Sequence, residues 1–156
     1  HTHAKAAIEG ADILVTATSA QAPLLKAAWM KAGAFYSHIG GWEDEYEVAQ
    51  QCEKIVCDDW STVTHRGQTL SRMYAEGILS SKDIYADLHE LVSKLKVGRE
   101  TDDERIYFNA VGLAYIDVAI ALAMYNRAHS SHAGQTLSLQ DCMIFEHSDI
   151  AQKVRL

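Results

Sequence analysis

Residues 98–125 read GRETDDERIYFNAVGLAYIDVAIALAMY. The stretch opens charged and then carries a short β-type run, Ile106-Tyr107-Phe108. Asn109, a residue type that caps helices, follows. From Val111 the residues predict a helix that is apolar on nearly every side: Val111, Leu113, Ala114, Ile116, Val118, Ile120, Leu122 and Met124. A helix with almost no polar face has to be buried against protein. Asp117 is its one charge and needs a partner or an opening, because burying an unpaired carboxylate is costly. A strand that ends where a buried helix begins turns backbone N–H groups toward a crevice, a place for an anion or a polar cofactor group.

Upstream, strand and helix signals alternate. Ala11–Thr16 is a short apolar run rich in β-branched residues. Such a run suits a parallel strand covered on both faces. It ends in the small residues Ala17-Thr18-Ser19-Ala20. Leu24–Met30 predicts a short helix ended by Gly33, and Ala34–Ile39 a second strand that runs into Gly40-Gly41. Two glycines permit a sharp turn or close approach of a ligand. Within the acidic run 42–47, Asp44 stands where it could cap a helix through Val48 and Ala49. Ile55-Val56-Cys57 is a third strand with Asp58-Asp59 at its carboxyl end. Helical patterns follow over 60–79, with a break at Gly67, and over 84–95. A terminal helix around 149–154 fits the last residues. The alternation marks an α/β fold with a parallel sheet, and ligands bind such sheets at the carboxyl ends of the strands.

A chain of 156 residues with 48% hydrophobic residues can bury a real core. The net charge of −7 argues against nucleic acid and anionic membranes as partners. No charge-free apolar run is long enough to span a bilayer. Cys52, Cys57 and Cys142 are odd in number and lack metal-ligand spacing, which reads as reduced thiols in a cytoplasmic protein. His129 and His132 could share a helix face, yet no acid or thiol nearby completes a ligand set, so no metal site is expected. Arg99 with Asp102 and Asp103 reads as a surface ion-pair cluster.

The order of GRxxDDE, a short strand, Val-Gly-Leu-Ala and then Asp resembles the ornithine cyclodeaminase/mu-crystallin family. Gly98, Arg99, Asp102, Asp103, Glu104, Val111, Gly112, Leu113, Ala114 and Asp117 carry the likeness. It covers about residues 9–127. The resemblance implies the second half of a Rossmann-type parallel sheet with flanking helices, followed by a buried C-terminal helix. It divides the chain into a partial dinucleotide-binding domain, 1–128, and a C-terminal tail, 129–156. No GxGxx(G/A) turn occurs in the sequence. The chain is therefore expected to be a fragment, without the family's glycine-rich turn and N-terminal substrate domain, inactive alone and prone to associate through an exposed sheet edge.

The resemblance also implies the site. NAD or NADP would lie along Thr16, Ala17, Thr18 and Ser19, along Tyr36, Ser37, His38, Ile39 and Gly40, and along Ala110, Val111 and Gly112. The family's catalytic Asp follows the second of these strands. Direct matching places Trp42 there, so Asp44 is the substitute acid and Glu43 the second choice. The implied function is NAD(P)-dependent hydride transfer on a small amino acid or imine, as an oxidoreductase or a cyclodeaminase-type lyase, in a homodimer. The alternative is a non-catalytic mu-crystallin-like binding or structural protein, motivated by Trp42 and the missing half. A substitution at Gly112, read as a helix-start residue, is expected to overpack a crevice.

Overall fold

The computed structural model describes residues 3–135 and 137. It divides into two compact units, the first ending at Leu113 and the second beginning at Ala114. The expected terminal helix at 149–154 and Cys142 lie outside the described residues.

Five strands build the first unit: β1 (Ile13–Thr16), β2 (Phe35–His38), β3 (Lys54–Cys57), β4 (Ala86–Asp87) and β5 (Ile106–Asn109). They form one wholly parallel sheet in the order β1-β2-β5-β3-β4. Four strands coincide with the apolar runs that predict them. β4 has no such run; two residues pair with Val56 and Cys57 and close the edge. The short helix α1 (Ala4–Ile8) precedes β1, and between strands lie α2 (Tyr46–Gln50), α3 (Trp60–Val63), α4 (Thr69–Ala75) and α5 (Leu88–Val92). The expected break near Gly67 separates α3 from α4. Only a 3-10 turn, Ala27–Trp29, forms where a helix over 24–30 is expected. Leu24 and Leu25 instead donate their N–H groups to the carbonyl of Glu43, which holds that segment extended.

Side chains alternate between the two faces of a strand. Leu14, Tyr36 and Tyr107 point into one face and pack with Val48 of α2, Val63 of α3, and Leu70 and Met73 of α4, all buried. The other face carries Phe35 stacked on Phe108 at 6.4 Å between ring centroids. Leu88 and Leu91 of α5 line an apolar cavity of about 210 Å³ with these rings. At the edge of this face Ile13 and Val15 are 68% and 59% exposed.

The amino end of β3 is pinned from far along the chain. The ammonium of Lys54 reaches the carbonyl of Gly98 and the carboxylates of Glu100 and Glu104. Arg99 makes no ion pair with Asp102 or Asp103; it donates to the carbonyls of Thr101 and Glu104. The charged stretch is thus a loop stabilised through backbone acceptors and Lys54.

The second unit contains α6 (Ala114–Ser130). The helix begins three residues later than the sequence predicts, and none of its residues is buried, contrary to the expected buried helix. Its apolar residues fall on all sides of the helix, with no distinct polar face. Among the described residues no helix is long and apolar enough to cross a membrane, and no cluster of three metal-ligating side chains occurs.

Candidate functional site

The sheet register aligns four strand ends. Thr16 pairs with His38, His38 with Asn109, and Asn109 with Cys57. The loops that leave this row, 17–20, 39–43, 110–113 and 58–59, therefore gather at one end of the sheet, where parallel α/β folds bind ligands.

The row itself is a buried polar layer. Thr16, His38 and Asn109 are all buried. The hydroxyls of Thr16 and Tyr36 lie 2.8 Å apart, and Thr16 donates to the Glu43 carboxylate at 2.7 Å. Glu43 also accepts the N–H groups of Thr18 and Gly40. One carboxylate thus ties the loop after β1 to the loop after β2. Burial would raise the pKa of Glu43, but these hydrogen bonds, led by Thr18 and Thr16, outweigh it and hold the carboxyl below its ordinary value. A Cβ at Gly40 would fall 2.5 Å from the carbonyl oxygen of Thr18 and 2.4 Å from the Glu43 side chain, so the clamp closes only over glycine.

Asp44 lies deeper. Its carboxylate is fully buried and accepts hydrogen bonds from Thr69 at 2.6 Å and from Tyr107 at 3.0 Å. Desolvation pushes its pKa up to about 7, against the pull of these hydroxyls. His38 sits beside it, with Nε2 3.4 Å from Asp44 and 2.9 Å from the carbonyl of Gly41. A carbonyl only accepts, so Nε2 carries the ring proton. Burial lowers the His38 pKa and keeps the ring neutral. Its Nδ1 and the Oδ1 of Asn109 have no hydrogen-bond partner among the described residues.

Asp44 does not cap α2; Glu45 takes the N-cap position. Nor does either acid reach the surface of the strand-end crevice, since Glu43 and Asp44 are both 0% exposed. Sequence position gives their place in the loop but not their direction. A run of acids reads as a solvated face, whereas here two of them are turned inward by hydroxyl and amide donors.

The cofactor-facing residues implied by resemblance separate into two groups. Ala17, Thr18, Ser19, Ile39 and Gly112 are exposed, with Ser37, Gly40, Ala110 and Val111 half-buried. Thr16, Tyr36 and His38 lie in the buried layer beneath them. The N–H groups of Val111 and Gly112 are already taken, both by Asp58 at 2.8 Å. That bond ends the extended chain after β5 and delays α6. Gly112 is not a helix residue: its φ is +89° and the space where a Cβ would stand is open. A side chain there is penalised by backbone conformation rather than by overpacking.

Gln68 is the residue that sequence reasoning misses. Buried at the start of α4, its amide nitrogen donates to the carbonyls of Ile39, Gly40 and Ala110, and its oxygen accepts from Asn109. It welds the ends of β2 and β5 together. Nothing in the local sequence marks a glutamine for this role. Asp58 was detectable as an acid at a strand end. Trp42, at the place of the family's expected acid, lies under the guanidinium of Arg72, 4.6 Å from ring centroid to Cζ.

Known proteins share this fold. The profile of the ornithine cyclodeaminase/mu-crystallin family matches residues 1–132. The N-((2S)-2-amino-2-carboxyethyl)-L-glutamate dehydrogenase of Staphylococcus aureus is 34% identical over 137 residues, covering 88% of this chain and 41% of that protein. The Δ(1)-pyrroline-2-carboxylate reductase of Thermococcus litoralis, solved with NADH and L-proline, superposes with a TM-score of 0.79 at 30% identity, covering 86% of this chain and 43% of its own. An archaeal alanine dehydrogenase dimer with bound NAD superposes with a TM-score of 0.75 at 33% identity, covering 88% of this chain and 43% of its own. The chain thus spans about two fifths of the length of these relatives.

Proposed function

The chain belongs to the ornithine cyclodeaminase/mu-crystallin family, and from that premise we propose that it is the carboxy-terminal part of the dinucleotide-binding domain of an NAD(P)-dependent enzyme. The reaction is hydride transfer at the amine or imine carbon of a small amino acid. The observation that carries this reading is the single row of strand ends Thr16, His38, Asn109 and Cys57, topped by loops of small residues. Relatives with this architecture hold NADH or NAD.

The residues fit the nicotinamide half of such a cofactor. Ala17, Ser19, Gly40, Gly41 and Ala110 leave the backbone of three strand ends bare, so a flat ring and its ribose can approach closely. The bound cofactor supplies the hydride. The protein supplies position: Glu43 fixes the first two loops and Gln68 fixes the second and third. Asp44 and His38 lie beneath the Gly40-Gly41 turn. With a carboxyl pKa near 7, Asp44 can hold or release a proton there around neutral pH. The phosphates would be held by residues beyond this sequence, which has no glycine-rich phosphate turn. The working assembly is a homodimer in the cytoplasm.

The burial of Glu43 and Asp44 favours one second reading: a member that binds nucleotide or amino acid without turning it over. Reduced-nicotinamide absorbance, followed with the complete protein and a panel of amino acids and cyclic imines, separates the two. Saturable turnover is expected. Binding of NADH, seen by its fluorescence, with no turnover on any substrate would favour the second reading.

A further inference from the structure

A cavity of about 420 Å³ opens beside Gly40 and Gly41, lined by Arg66, Arg72, Gln21 and Gln68 with no acidic side chain among its walls. The protein as a whole carries a net charge of −7. Most of its described lysines near the sheet have carboxylate partners, including Lys26, Lys31 and Lys54. Neither arginine has one within 4 Å among the described residues.

The two arginines differ in how they are held. Arg72 is half-buried, stacks its guanidinium on the Trp42 ring and makes only a long bond, 3.5 Å, from Nε to the carbonyl of Gly67. The ring restrains the guanidinium, whose terminal N–H groups make no hydrogen bond among the described residues. Arg66 is exposed, across the turn that joins α3 to α4. A guanidinium with its terminal N–H groups free is suited to a carboxylate, which it grips with two parallel hydrogen bonds. Gln68 and Gln21 do not compete for the ligand: the Gln68 amide is consumed by the strand ends, and Gln21 bonds to the carbonyl of Ser19.

We propose that Arg66 and Arg72 bind a second carboxylate of the substrate, so that the enzyme acts on an acidic amino acid or imine rather than on a simple aliphatic one. The placement follows from the proposed function, which puts the reacting carbon at the Gly40-Gly41 turn. An acidic group on the substrate's side chain then falls into the neighbouring cavity. Trp42 becomes the platform that orients Arg72, and this accounts for an aromatic residue in a loop where the family reading expects an acid.

Calorimetry on the complete protein, with and without NADH, tests this with glutarate as the dicarboxylate probe and butyrate as the monocarboxylate control. Glutarate should bind more tightly than butyrate. Arg72→Gln and Arg66→Gln should each weaken glutarate at least about tenfold, the loss of one charge-assisted contact, and leave butyrate and NADH unchanged. Arg66 makes no side-chain hydrogen bond among the described residues, so its variant reads binding even if Arg72→Gln disturbs the Trp42 loop. Equal affinities for glutarate and butyrate, or glutarate binding untouched by both variants, overturn the proposal. Loss of ADP or inorganic phosphate binding in the variants, with glutarate unaffected, would assign the pair to a nucleotide phosphate and overturn it as well. Arginine-dependent glutarate binding in a protein that does not bind NADH would remove the oxidoreductase reading and leave the acid-binding cavity standing.

Discussion

The two faces of the sheet are made from alternate residues of the same strands, and they are built to different standards. One face holds Tyr36, Tyr107, His38 and Asn109 at 0% exposure, with hydroxyl, imidazole and carboxyl groups joined to one another. The other holds Phe35, Ile106 and Phe108 half-buried beside α5, and Ile13 and Val15 open at the edge. The sequence pattern alone predicts strands covered on both faces. The comparison teaches that in the first unit α2, α3 and α4 all serve one face, while short α5 serves the other. The polar layer at the strand ends belongs entirely to the well-covered face.

The largest test of this difference is a pair of truncations. Tyr107→Ala removes a fully buried ring and the hydroxyl that donates to Asp44, and should cost about 3–5 kcal/mol. Phe108→Ala, one residue on and on the other face, should cost roughly 1–2 kcal/mol, because its ring is only half-buried. Denaturant midpoints measure both. Equal losses would show that the second face is as well packed as the first.

The acid of the buried layer gives the next test. The Asp44 carboxyl is raised to about 7 in the fold and lies near 3.8 unfolded. Between these values the folded state binds the extra proton. This group's contribution is therefore fully present below pH 3.8 and is lost as pH rises through 7, on the order of a few kcal/mol. Asp44→Asn never ionises. Its stability relative to the parent should rise steadily from pH 4 to pH 8 by that amount, as read from unfolding curves at each pH. A difference independent of pH would mean that water reaches the carboxylate, and that the layer is open rather than sealed.

The smallest effect belongs to the open edge. Val15→Thr, at 59% exposure, keeps the β-branched shape and should change stability by no more than about 0.5 kcal/mol. A loss several times larger would mean that Val15 is covered in solution, for example by a second copy.

These contrasts also explain what could be read from sequence. Ile13–Thr16, Phe35–His38, Lys54–Cys57 and Ile106–Asn109 are legible because each contains a short run of β-branched, aromatic or other apolar residues bounded by polar residues or glycine. Ala86-Asp87 is a strand only because β3 offers a free edge, and a pairing partner is not written in the residues themselves. The helix start after Asn109 is misplaced because Asp58, far away in sequence, takes the N–H groups of Val111 and Gly112. Asp44 is singled out by its place in a loop, but its depth depends on Thr69 and Tyr107 arriving from other elements. Glu43, ranked second as an acid, turns out to be the brace of two loops. Gln68 carries no pattern, since its four bonds all lead to distant backbone or to Asn109.

The strand order β1-β2-β5-β3-β4 carries a consequence for how the chain acquires its structure in time. The centre of the sheet is the strand that comes last in sequence among the described residues, and Ile106 pairs with Phe35 on one side and Lys54 on the other. Without the segment 106–109, β1-β2 and β3-β4 have no direct pairing with each other. Contacts this distant along the chain are entropically slow to form. A state formed before β5 docks would leave two inner edges bare and open to mispairing. The grip of Lys54 on Gly98, Glu100 and Glu104 lies immediately before that last strand. It ties the segment leading into β5 to the amino end of β3, the strand that β5 pairs with.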